Sequence, residues 1–414
     1  MKKNVWIINQ YNMPTKYGHL NRHFNIAKYL VKQGYNPTVF VGSYLHNSNE
    51  QIIKNRSFYK KQNEGDFVFY FIKTMNYAKS KLKRIISMVQ FYINVKKVSK
   101  ILEKPDVIIG SSAHPLAALL AIKLSKKFGC ESIVEIRDLW PESFVAYGII
   151  GRKNPLIKLL YFGEKWIYRK ADDLVFTMEG GRNYIVDKKW DIEHEGKIDL
   201  SKIHHINNGV DLDVYNNNKK LNVFSDNDLN DENTYKVVYI GSIRRVNKVD
   251  KIVDVALKLK DENIKFLIWG SGDCVNEINI KIEKLKLTNI VLKGKIEKKY
   301  IPSILSRADL NIMLGEANEV FKYGISANKL FEYFASCKPT IVTFKSGFSI
   351  VEKYKAGIEL ENSDSTSIVN GIQLFKNLSN ESYNRYCQAA KKASQDYDFK
   401  NLSDQYIRVI EGRN

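Results

Sequence analysis

Short apolar runs alternate along the chain with longer stretches in which apolar residues recur every three or four positions. In the first half the apolar runs predict β-strands: NVWIIN (4–9), PTVFVGS, FVFYFIKT, PDVIIGSS (105–112), CESIVEIRD and ADDLVFTM. The stretches between them, such as NRHFNIAKYLVKQG and HPLAALLAIKLSKKFG, predict helices. Near-continuous apolar strands separated by helices are typical of a parallel sheet that helices cover on both faces.

A polar, asparagine-rich stretch at residues 211–235 interrupts this alternation, and we interpret it as a linker. The alternation then resumes with KVVYIGS and continues through IKFLIWG, IVLKG, LNIML and TIVTF. The sequence therefore predicts an α/β protein with two doubly wound, Rossmann-like domains, residues 1–210 and 236–390. Residues 391–414 are expected to form a helix that crosses back to the first domain. The domains would face a central cleft at the carboxyl ends of their strands.

The composition narrows the class of protein. The chain has 414 residues, too many for one ordinary core, and its 65 basic and 45 acidic side chains give a net charge of +20. Such a field attracts polyanions, including anionic lipid and phosphorylated small molecules. We expect no nucleic-acid partner, because the sequence has no helix-turn-helix, zinc-finger or RNP signature.

The cysteines and the N-terminal residues indicate the cellular compartment of the protein. The four cysteines lie far apart and form no CxxC pair, which predicts reduced thiols in the cytoplasm and no zinc site. No run approaches the ~18 apolar residues that span a bilayer, and MKKNVWIINQYN lacks the apolar core of a signal peptide. We therefore expect a cytoplasmic protein.

The sequence lacks the motifs of several common enzyme classes. The patterns GxGxxG, GxxxxGK[ST] and GxSxG are missing, so the sequence does not support a dinucleotide oxidoreductase, a P-loop NTPase or an α/β-hydrolase. DLD (211–213) and DND (226–228) match the DxD of metal-dependent sugar transferases, but both lie in or beside the polar stretch rather than at a strand end. We expect neither a metal nor a cofactor.

Four segments of the second half resemble, in the same order, the donor-binding domain of family-4 glycosyltransferases. They are VVYIGSIRRVNKVDKIVDVALKL, IKFLIWGSGD, IVLKGKIEKKYIPSILSRADLNIML and YGISANKLFEYFASCKPTIV. HHINNGVDLDVY resembles the end of that family's acceptor domain. EIRDLWPES (135–143) resembles the branch that adds N-acetylated amino sugars, such as N-acetyl-fucosamine, in bacterial O-antigen and capsule assembly. The resemblance implies a GT-B fold and a retaining, metal-independent transfer of sugar from a nucleotide diphosphate, expected to be UDP. The acceptor would be a polyprenyl-diphosphate-linked glycan.

The stretch YGISANKLFEYFASCKP (323–339) carries the main donor-site candidates. A helix is predicted to begin near Asn328, and a helix start offers free N–H groups and partial positive charge to a phosphate. Lys329 would add a full charge, and backbone groups from Ser326 to Asn328 would hold phosphate oxygens. By the resemblance, Glu332 accepts both ribose hydroxyls. The alternative is an ordinary Lys–Glu pair on a helix surface.

Three further residues complete the predicted donor-phosphate site. The loop after a strand offers three cations, Arg244, Arg245 and Lys248. The resemblance favours Arg245, whose guanidinium fork suits phosphate oxygens. Gly241 and Gly270 lie at strand ends where a side chain would block approach. The family pattern has two glutamates separated by seven residues, but Gly324 stands where the first is expected. The candidates to replace that glutamate are Glu316 and Glu319.

The first domain supplies the candidate catalytic residues. Asp138 and Glu142 follow a strand, and a carboxylate there would accept the acceptor's proton or stabilise an oxocarbenium-like sugar. His114 opens a helix, and Gly18 is the expected point of close approach in the loop after the first strand. The alternatives to sugar transfer are a nucleotide-sugar epimerase of the same architecture and a basic, non-enzymatic binding protein.

Residues 79–104 combine an apolar stripe at helical spacing with basic residues near both ends. The stripe is Leu82, Ile85, Val89, Tyr92 and Val95, and the basic residues are Lys79, Lys81, Lys83, Arg84, Lys96, Lys97 and Lys100. One interpretation is a covering helix whose stripe packs on the sheet. The other is a helix that binds anionic lipid and inserts Met88, Phe91 or Ile93. The second interpretation predicts a peripheral protein on the inner face of the cell membrane.

Overall fold

The computed structural model describes residues 3–18, 21–46, 50–78 and 80–412, and the chain divides into two compact units. The first unit comprises Met1–Asn207 and Leu402–Asn414, and the second comprises Asn208–Asn401. The boundary between Asn207 and Asn208 lies close to residue 210, where the sequence analysis places the end of the first domain. The C-terminal segment that groups with the first unit begins at Leu402 rather than at residue 391.

The described residues of the first unit form one sheet of eight strands. Numbered along the chain, they are β1 (Asn4–Ile8), β2 (Asn36–Gly42), β3 (Tyr59–Glu64), β4 (Phe67–Ile72), β5 (Val107–Ser111), β6 (Glu131–Ile136), β7 (Asp173–Phe176) and β8 (Ile203–His205). Their order is β3-β4-β2-β1-β5-β6-β7-β8, and only β3 runs antiparallel to its neighbour. The hydrophobic pattern missed β3, because this edge strand has the polar sequence YKKQNE.

In the part of the first unit that the structure describes, the helices between these strands are α1 (Arg22–Lys32), α2 (Lys81–Val98), α3 (Pro115–Phe128), α4 (Glu142–Ala146), α5 (Pro155–Lys170) and α6 (Gly181–Asp187). Helix α3 begins with Pro115 and ends before Gly129, whose φ of 68° is the left-handed conformation that often terminates helices. Across the described part of the chain, none of the helices has the length and apolar character needed to cross a bilayer.

The second unit contains a sheet of six parallel strands: β9 (Tyr235–Ile240), β10 (Ile264–Trp269), β11 (Ile290–Gly294), β12 (Leu310–Met313), β13 (Thr340–Val342) and β14 (Gly357–Glu359). Their order is β11-β10-β9-β12-β13-β14. The order reverses at β9, which lies between β10 and β12. Ligands of doubly wound sheets bind beyond the carboxyl ends of the strands at such a reversal. Together the two sheets confirm the predicted fold class.

The helices of the second unit are α7 (Leu212–Leu221), α8 (Asn227–Asn230), α9 (Lys251–Lys258), α10 (Val275–Lys284), α11 (Ile301–Ser306), α12 (Asn328–Ala335), α13 (Ile350–Tyr354), α14 (Ser365–Lys376) and α15 (Asn380–Asp396). The last helix, α16 (Phe399–Ile410), contains the point at which the chain passes from the second unit to the first.

The interpretation of residues 211–235 as a linker is wrong. Asp211 and Asp226 accept hydrogen bonds from backbone N–H groups at the starts of α7 and α8, and Tyr215 of α7 is buried. Lys293 forms ion pairs with Asp226 and Asp228. The polar residues therefore cap helices and pair charges. Within the described ranges, no group of three or more His, Cys, Asp and Glu side chains is arranged to hold a metal ion.

Helix α2 divides its apolar residues between two faces. The exposed large ones are Leu82, Ile85, Ile86, Val89 and Ile93, whereas Phe91, Val95 and Val98 are buried. The predicted stripe is therefore not one packing face, since Leu82, Ile85 and Val89 are exposed while Val95 is buried. Insertion of Phe91 into a membrane is also excluded, because Phe91 packs in the core. Lys79 lies outside the described residues.

Candidate active site

Lys329 reaches from α12 to the end of β9, where the strand order of the second unit reverses. Its Nζ donates a hydrogen bond to the Tyr239 hydroxyl at 3.1 Å and lies 4.6 Å from the centroid of the Tyr239 ring. A Cβ atom placed on Gly241 would lie 2.8 Å from the Lys329 Nζ. Gly241 therefore leaves room for the lysine head, and the tyrosine fixes its position.

The Lys329 ammonium lacks a carboxylate partner within the ranges that the structure describes. The surrounding protein desolvates it and lowers its pKa to about 8, although the nearby Glu332 acts in the opposite direction. A desolvated cation without a counter-ion attracts an anion strongly, because little water screens the interaction. The end of β9 is therefore suited to a phosphate.

The start of α12 adds backbone donors beside this lysine. Ala327 precedes the helix and its side chain caps none of the first N–H groups, and Asn328 is exposed at the first helical position. Ser326 is held in place, because its hydroxyl and carbonyl oxygens accept hydrogen bonds from Asn208 at 3.2 and 2.8 Å. The free N–H groups and Lys329 thus lie on the same turn, where the helix dipole also favours negative charge.

Glu332 lies one turn further along α12. Its carboxylate is largely buried and lies 3.5 Å from the Lys298 Nζ. A carboxylate with one distant ion-pair partner retains capacity to accept hydrogen bonds from hydroxyl groups.

Gly270 lies at the end of the neighbouring strand β10, and Arg245 lies in the loop after β9. Arg245 begins a single 3-10 turn after β9, and 82% of its side chain is exposed, with its Nη2 3.6 Å from a Glu277 oxygen. A Cβ atom on Gly270 would overlap the carbonyl oxygen of Gly241, so no other residue fits there without backbone movement. The fold thus brings Gly241, Gly270 and Lys329 together, and it places Arg245 on the adjoining loop.

Gly324 adopts a conformation that a glutamate would adopt only with strain. Its φ is 97°, and its N–H donates to the Phe321 carbonyl at 2.9 Å to close a turn. Of the candidate replacements, Glu316 forms ion pairs with Lys248 and Lys251 at 3.0 and 2.9 Å. Glu319 begins the 3-10 turn and takes part in a hydrogen bond, an ion pair or another electrostatic interaction. The turn geometry therefore explains the glycine, and the role of either glutamate stays a prediction.

His114 is fully buried at the start of α3, directly after β5. Its ring lies 5.6 Å from the Tyr11 ring and 6.1 Å from the Phe91 ring, and neither ring nitrogen has a hydrogen-bond partner among the described residues. Burial, with a contribution from Arg84, lowers its pKa to about 3. The imidazole is therefore neutral at physiological pH and suited to hydrogen bonding rather than to carrying a charge.

The two candidate carboxylates of the first unit differ in their surroundings. Asp138 is exposed, yet the protein around it displaces enough solvent to raise the pKa of its carboxyl, against the effect of Arg137. Glu142 is buried and accepts hydrogen bonds from Arg152, Tyr161 and Lys188. Burial raises the pKa of Glu142, but these partners outweigh burial and lower it. Asp138 is thus the more accessible base, and the contacts of Glu142 favour a structural role.

Gly18 ends a 3-10 turn after β1 with a φ of 153°. A Cβ atom there would lie 2.8 Å from the Met13 sulfur, so a side chain would collide with the loop itself. Its close approach to a substrate stays a prediction.

The sequence pattern missed a buried charge network in the first unit. Glu135 of β6 accepts hydrogen bonds from Arg22 Nε at 2.8 Å and from the Tyr406 hydroxyl, and it lies 3.1 Å from His23 Nε2. Arg22 also donates to the carbonyl oxygens of Ile206 and Asn207. The only signal was a glutamate inside the apolar run SIVEI. The network joins β6 and α1 to the last helix.

Two family models match the chain, one in each half. The model described as Glycosyltransferase Family 4 matches residues 21–214, and the model described as Glycosyl transferases group 1 matches residues 223–393. The glycosyltransferase TuaH of Bacillus subtilis, named for teichuronic acid biosynthesis, is 26% identical over 238 residues. That match covers 56% of this chain and 55% of TuaH, so the chain spans about half the length of this relative.

Solved structures share the fold over nearly the whole chain. Sucrose-phosphate synthase from Thermosynechococcus elongatus has a TM-score of 0.71 at 13% identity, with 99% of each chain covered. Alr3699/HepE from Anabaena, solved with UDP-glucose, has a TM-score of 0.67 at 14% identity, covering 99% of this chain and 100% of its own. These likenesses show the GT-B fold. The two family models together span most of the sequence, and the chain belongs to the family-4 glycosyltransferases.

Proposed function

We propose that the protein transfers a sugar from a UDP-linked donor to a lipid-linked glycan during the synthesis of a bacterial surface polysaccharide. The observation that carries this proposal is the unpaired Lys329 ammonium beside the free N–H groups of α12. The UDP-glucose bound by Alr3699/HepE and the naming of TuaH for teichuronic acid biosynthesis support the donor and the pathway class. The resemblance of EIRDLWPES to amino-sugar transferases favours an N-acetylated amino sugar.

The chemistry follows from the charge that develops on the leaving group. As the glycosidic bond breaks, negative charge grows on the diphosphate, and Lys329 with the first N–H groups of α12 would stabilise it. Arg245 would add a second cation from its loop. Glu332 would accept the ribose hydroxyls. Asp138 would accept the proton of the attacking hydroxyl or stabilise the oxocarbenium-like sugar, and retention of configuration is part of the proposal.

The test is a transfer assay with a set of UDP-sugars and a polyprenyl-diphosphate-linked glycan. We expect acceptor-dependent release of UDP and a glycan one sugar longer, with the donor's anomeric configuration retained. An altered free nucleotide-sugar without a longer glycan would instead indicate an epimerase. If no chemistry occurs with any donor, the protein is a binding protein and the proposal fails.

Removal of divalent metal is expected to leave the transfer rate unchanged. Lys329 and Arg245 supply the positive charge that a metal ion supplies to the diphosphate in other enzymes. The rate is measured in excess EDTA and again after addition of Mg²⁺ or Mn²⁺. Activity that EDTA abolishes and Mn²⁺ restores would contradict this expectation.

Glu332→Gln is expected to weaken UDP binding about tenfold, because hydrogen bonds from ribose hydroxyls to a charged acceptor are stronger than those to an amide. Calorimetric titration of UDP measures the change. Glu297→Gln is the matched control, since Glu297 is an exposed carboxylate in the same unit that pairs with Lys299 at 3.0 Å. Equal affinities of wild type and Glu332→Gln would show that Glu332 is structural.

The exposed face of α2 supports a peripheral association with the inner face of the cell membrane. Leu82 is 68% exposed, and the other exposed apolar residues of α2 follow it at helical spacing. Lys81 and Lys83 are exposed within the same turn. Apolar residues flanked by lysine suit the interface of an anionic bilayer, where a lipid-linked acceptor resides.

Co-sedimentation with liposomes tests this association. We expect the protein to bind only liposomes that contain anionic lipid, and to bind less as salt increases. The double variant Lys81→Gln with Lys83→Gln should bind more weakly by about 2 kcal/mol. The control replaces Lys126 and Lys127, two exposed lysines at the other end of the neighbouring α3, and should leave binding unchanged. No binding to anionic liposomes at low salt would refute the association.

A further inference from the structure

Arg84 lies on the inward side of α2, although its sequence neighbours are exposed. The buried residues Ser87, Phe91 and Val95 follow Arg84 at intervals of three, seven and eleven, which places all four on one helix face. Leu82 and Ile85, on either side of it, are exposed. Arg84 is therefore the first residue of the inward-facing side of α2, and it lies next to the exposed apolar residues.

Tyr11 orients the Arg84 guanidinium. The Nε of Arg84 donates to the Tyr11 hydroxyl at 3.2 Å, and its guanidinium carbon lies 5.2 Å from the centroid of the Tyr11 ring. Within residues 3–412, except for the undescribed gaps, no carboxylate pairs with Arg84 and its two Nη groups have no recorded acceptor. A held guanidinium with both Nη groups available presents the fork that binds two phosphate oxygens.

Among the described residues, two that adjoin Tyr11, one in space and one in sequence, have buried polar atoms without a partner. The Tyr11 ring is 5.6 Å from the His114 ring, and both nitrogens of His114 are buried without a partner. Both atoms of the Asn12 amide, next to Tyr11 in sequence, are also buried without a partner. Buried polar atoms that the protein leaves unpaired are unusual and mark a place where a polar ligand or water is required. They follow β1 and β5, where the strand order of the first unit reverses.

We propose that Arg84 binds the diphosphate of a prenyl-linked substrate, whose hydrocarbon chain lies along the exposed residues Leu82, Ile85 and Val89. The guanidinium supplies charge and two donors to the phosphate oxygens. The adjoining apolar residues match an isoprenoid chain that enters from the membrane. This inference rests on the proposed function, because it assigns a binding residue to the lipid-linked acceptor.

The test is titration of the full chain with farnesyl diphosphate while UDP is saturating, so that the UDP site is already filled. We expect Arg84→Gln to weaken binding about tenfold or more, because a hydrogen-bonded charge is lost. Arg84→Lys should weaken binding less, since it keeps the charge but not the fork. Lys97→Gln is the matched control, because it removes one exposed charge from the same helix.

Two further probes separate the parts of the ligand. Inorganic pyrophosphate should lose affinity with Arg84→Gln, whereas farnesol should bind wild type and Arg84→Gln equally. Unchanged affinity of Arg84→Gln for farnesyl diphosphate, or an equal loss with Lys97→Gln, would overturn the inference. UDP affinity and the melting temperature show whether Arg84→Gln remains folded. Failure of the proposed function gives a different result, namely Arg84-dependent binding without sugar transfer.

Discussion

Replacing Lys329 with alanine is expected to lower kcat by about 10²–10³-fold, because a preorganised charge at the leaving group is lost from a desolvated site. The Nζ of Lys329 has a fixed position against Tyr239, so the wild-type enzyme does not reorganise as charge develops. Steady-state kinetics at saturating donor measures the change. Near wild-type kcat would refute this role of Lys329.

Lys338→Ala is the matched control for this experiment. Lys338 is also a lysine of the second unit that lies over a tyrosine ring, with its Nζ 5.9 Å from the centroid of Tyr383. It follows the end of α12 rather than its start. A similar loss of kcat in Lys338→Ala would indicate a general effect of charge, whereas we expect little change.

Replacing Arg22 with methionine is expected to destabilise the first unit by about 3–5 kcal/mol, because Glu135 would remain buried without its guanidinium partner. Both side chains are almost fully buried, so water cannot solvate the carboxylate that is left behind. Chemical denaturation measures the change. Arg385→Met is the control, since Arg385 and Glu381 form an exposed helix pair at 2.8 Å and such pairs contribute about 0.3–0.5 kcal/mol.

The same network predicts loss of stability in acid. Burial raises the pKa of Glu135, but Arg22 and His23 outweigh it and hold that pKa well below the usual value. Burial lowers the pKa of His23. A group whose pKa is depressed by folding stabilises the native state above its unfolded pKa and ceases to do so as pH falls. Stability should therefore fall from about pH 6.5 downward, and an Arg22→Met protein with the wild-type pH dependence would contradict this.

The sequence predicted the sheets well because most strands are buried on both faces and are therefore apolar throughout. It failed at β3, where an edge strand has polar residues on both sides. It also failed at residues 211–235, because aspartates that cap α7 and α8 have the same composition as a linker. Composition records which residues are polar but not which backbone groups they satisfy.

The sequence identified site residues whose role follows from their position on a helix. It did not identify contacts between residues that lie far apart in the chain. Lys329 was found from its place at a helix start, but its contact with Tyr239 joins residues 90 positions apart. Arg84 was counted among surface charges, because apolar residues on both faces of α2 hide which face is buried. Glu135 was hidden inside an apolar run, because its partners Arg22 and Tyr406 lie far from it in the sequence.

A crystal structure of the protein with UDP tests the central claim most directly. We expect the diphosphate within hydrogen-bond distance of the Lys329 Nζ and the first N–H groups of α12, and the ribose hydroxyls at the Glu332 carboxylate. Arg245 should exchange its surface contact with Glu277 for the phosphate, since 82% of its side chain is exposed. UDP bound elsewhere, with Lys329 still in contact only with Tyr239, would contradict the proposed donor site.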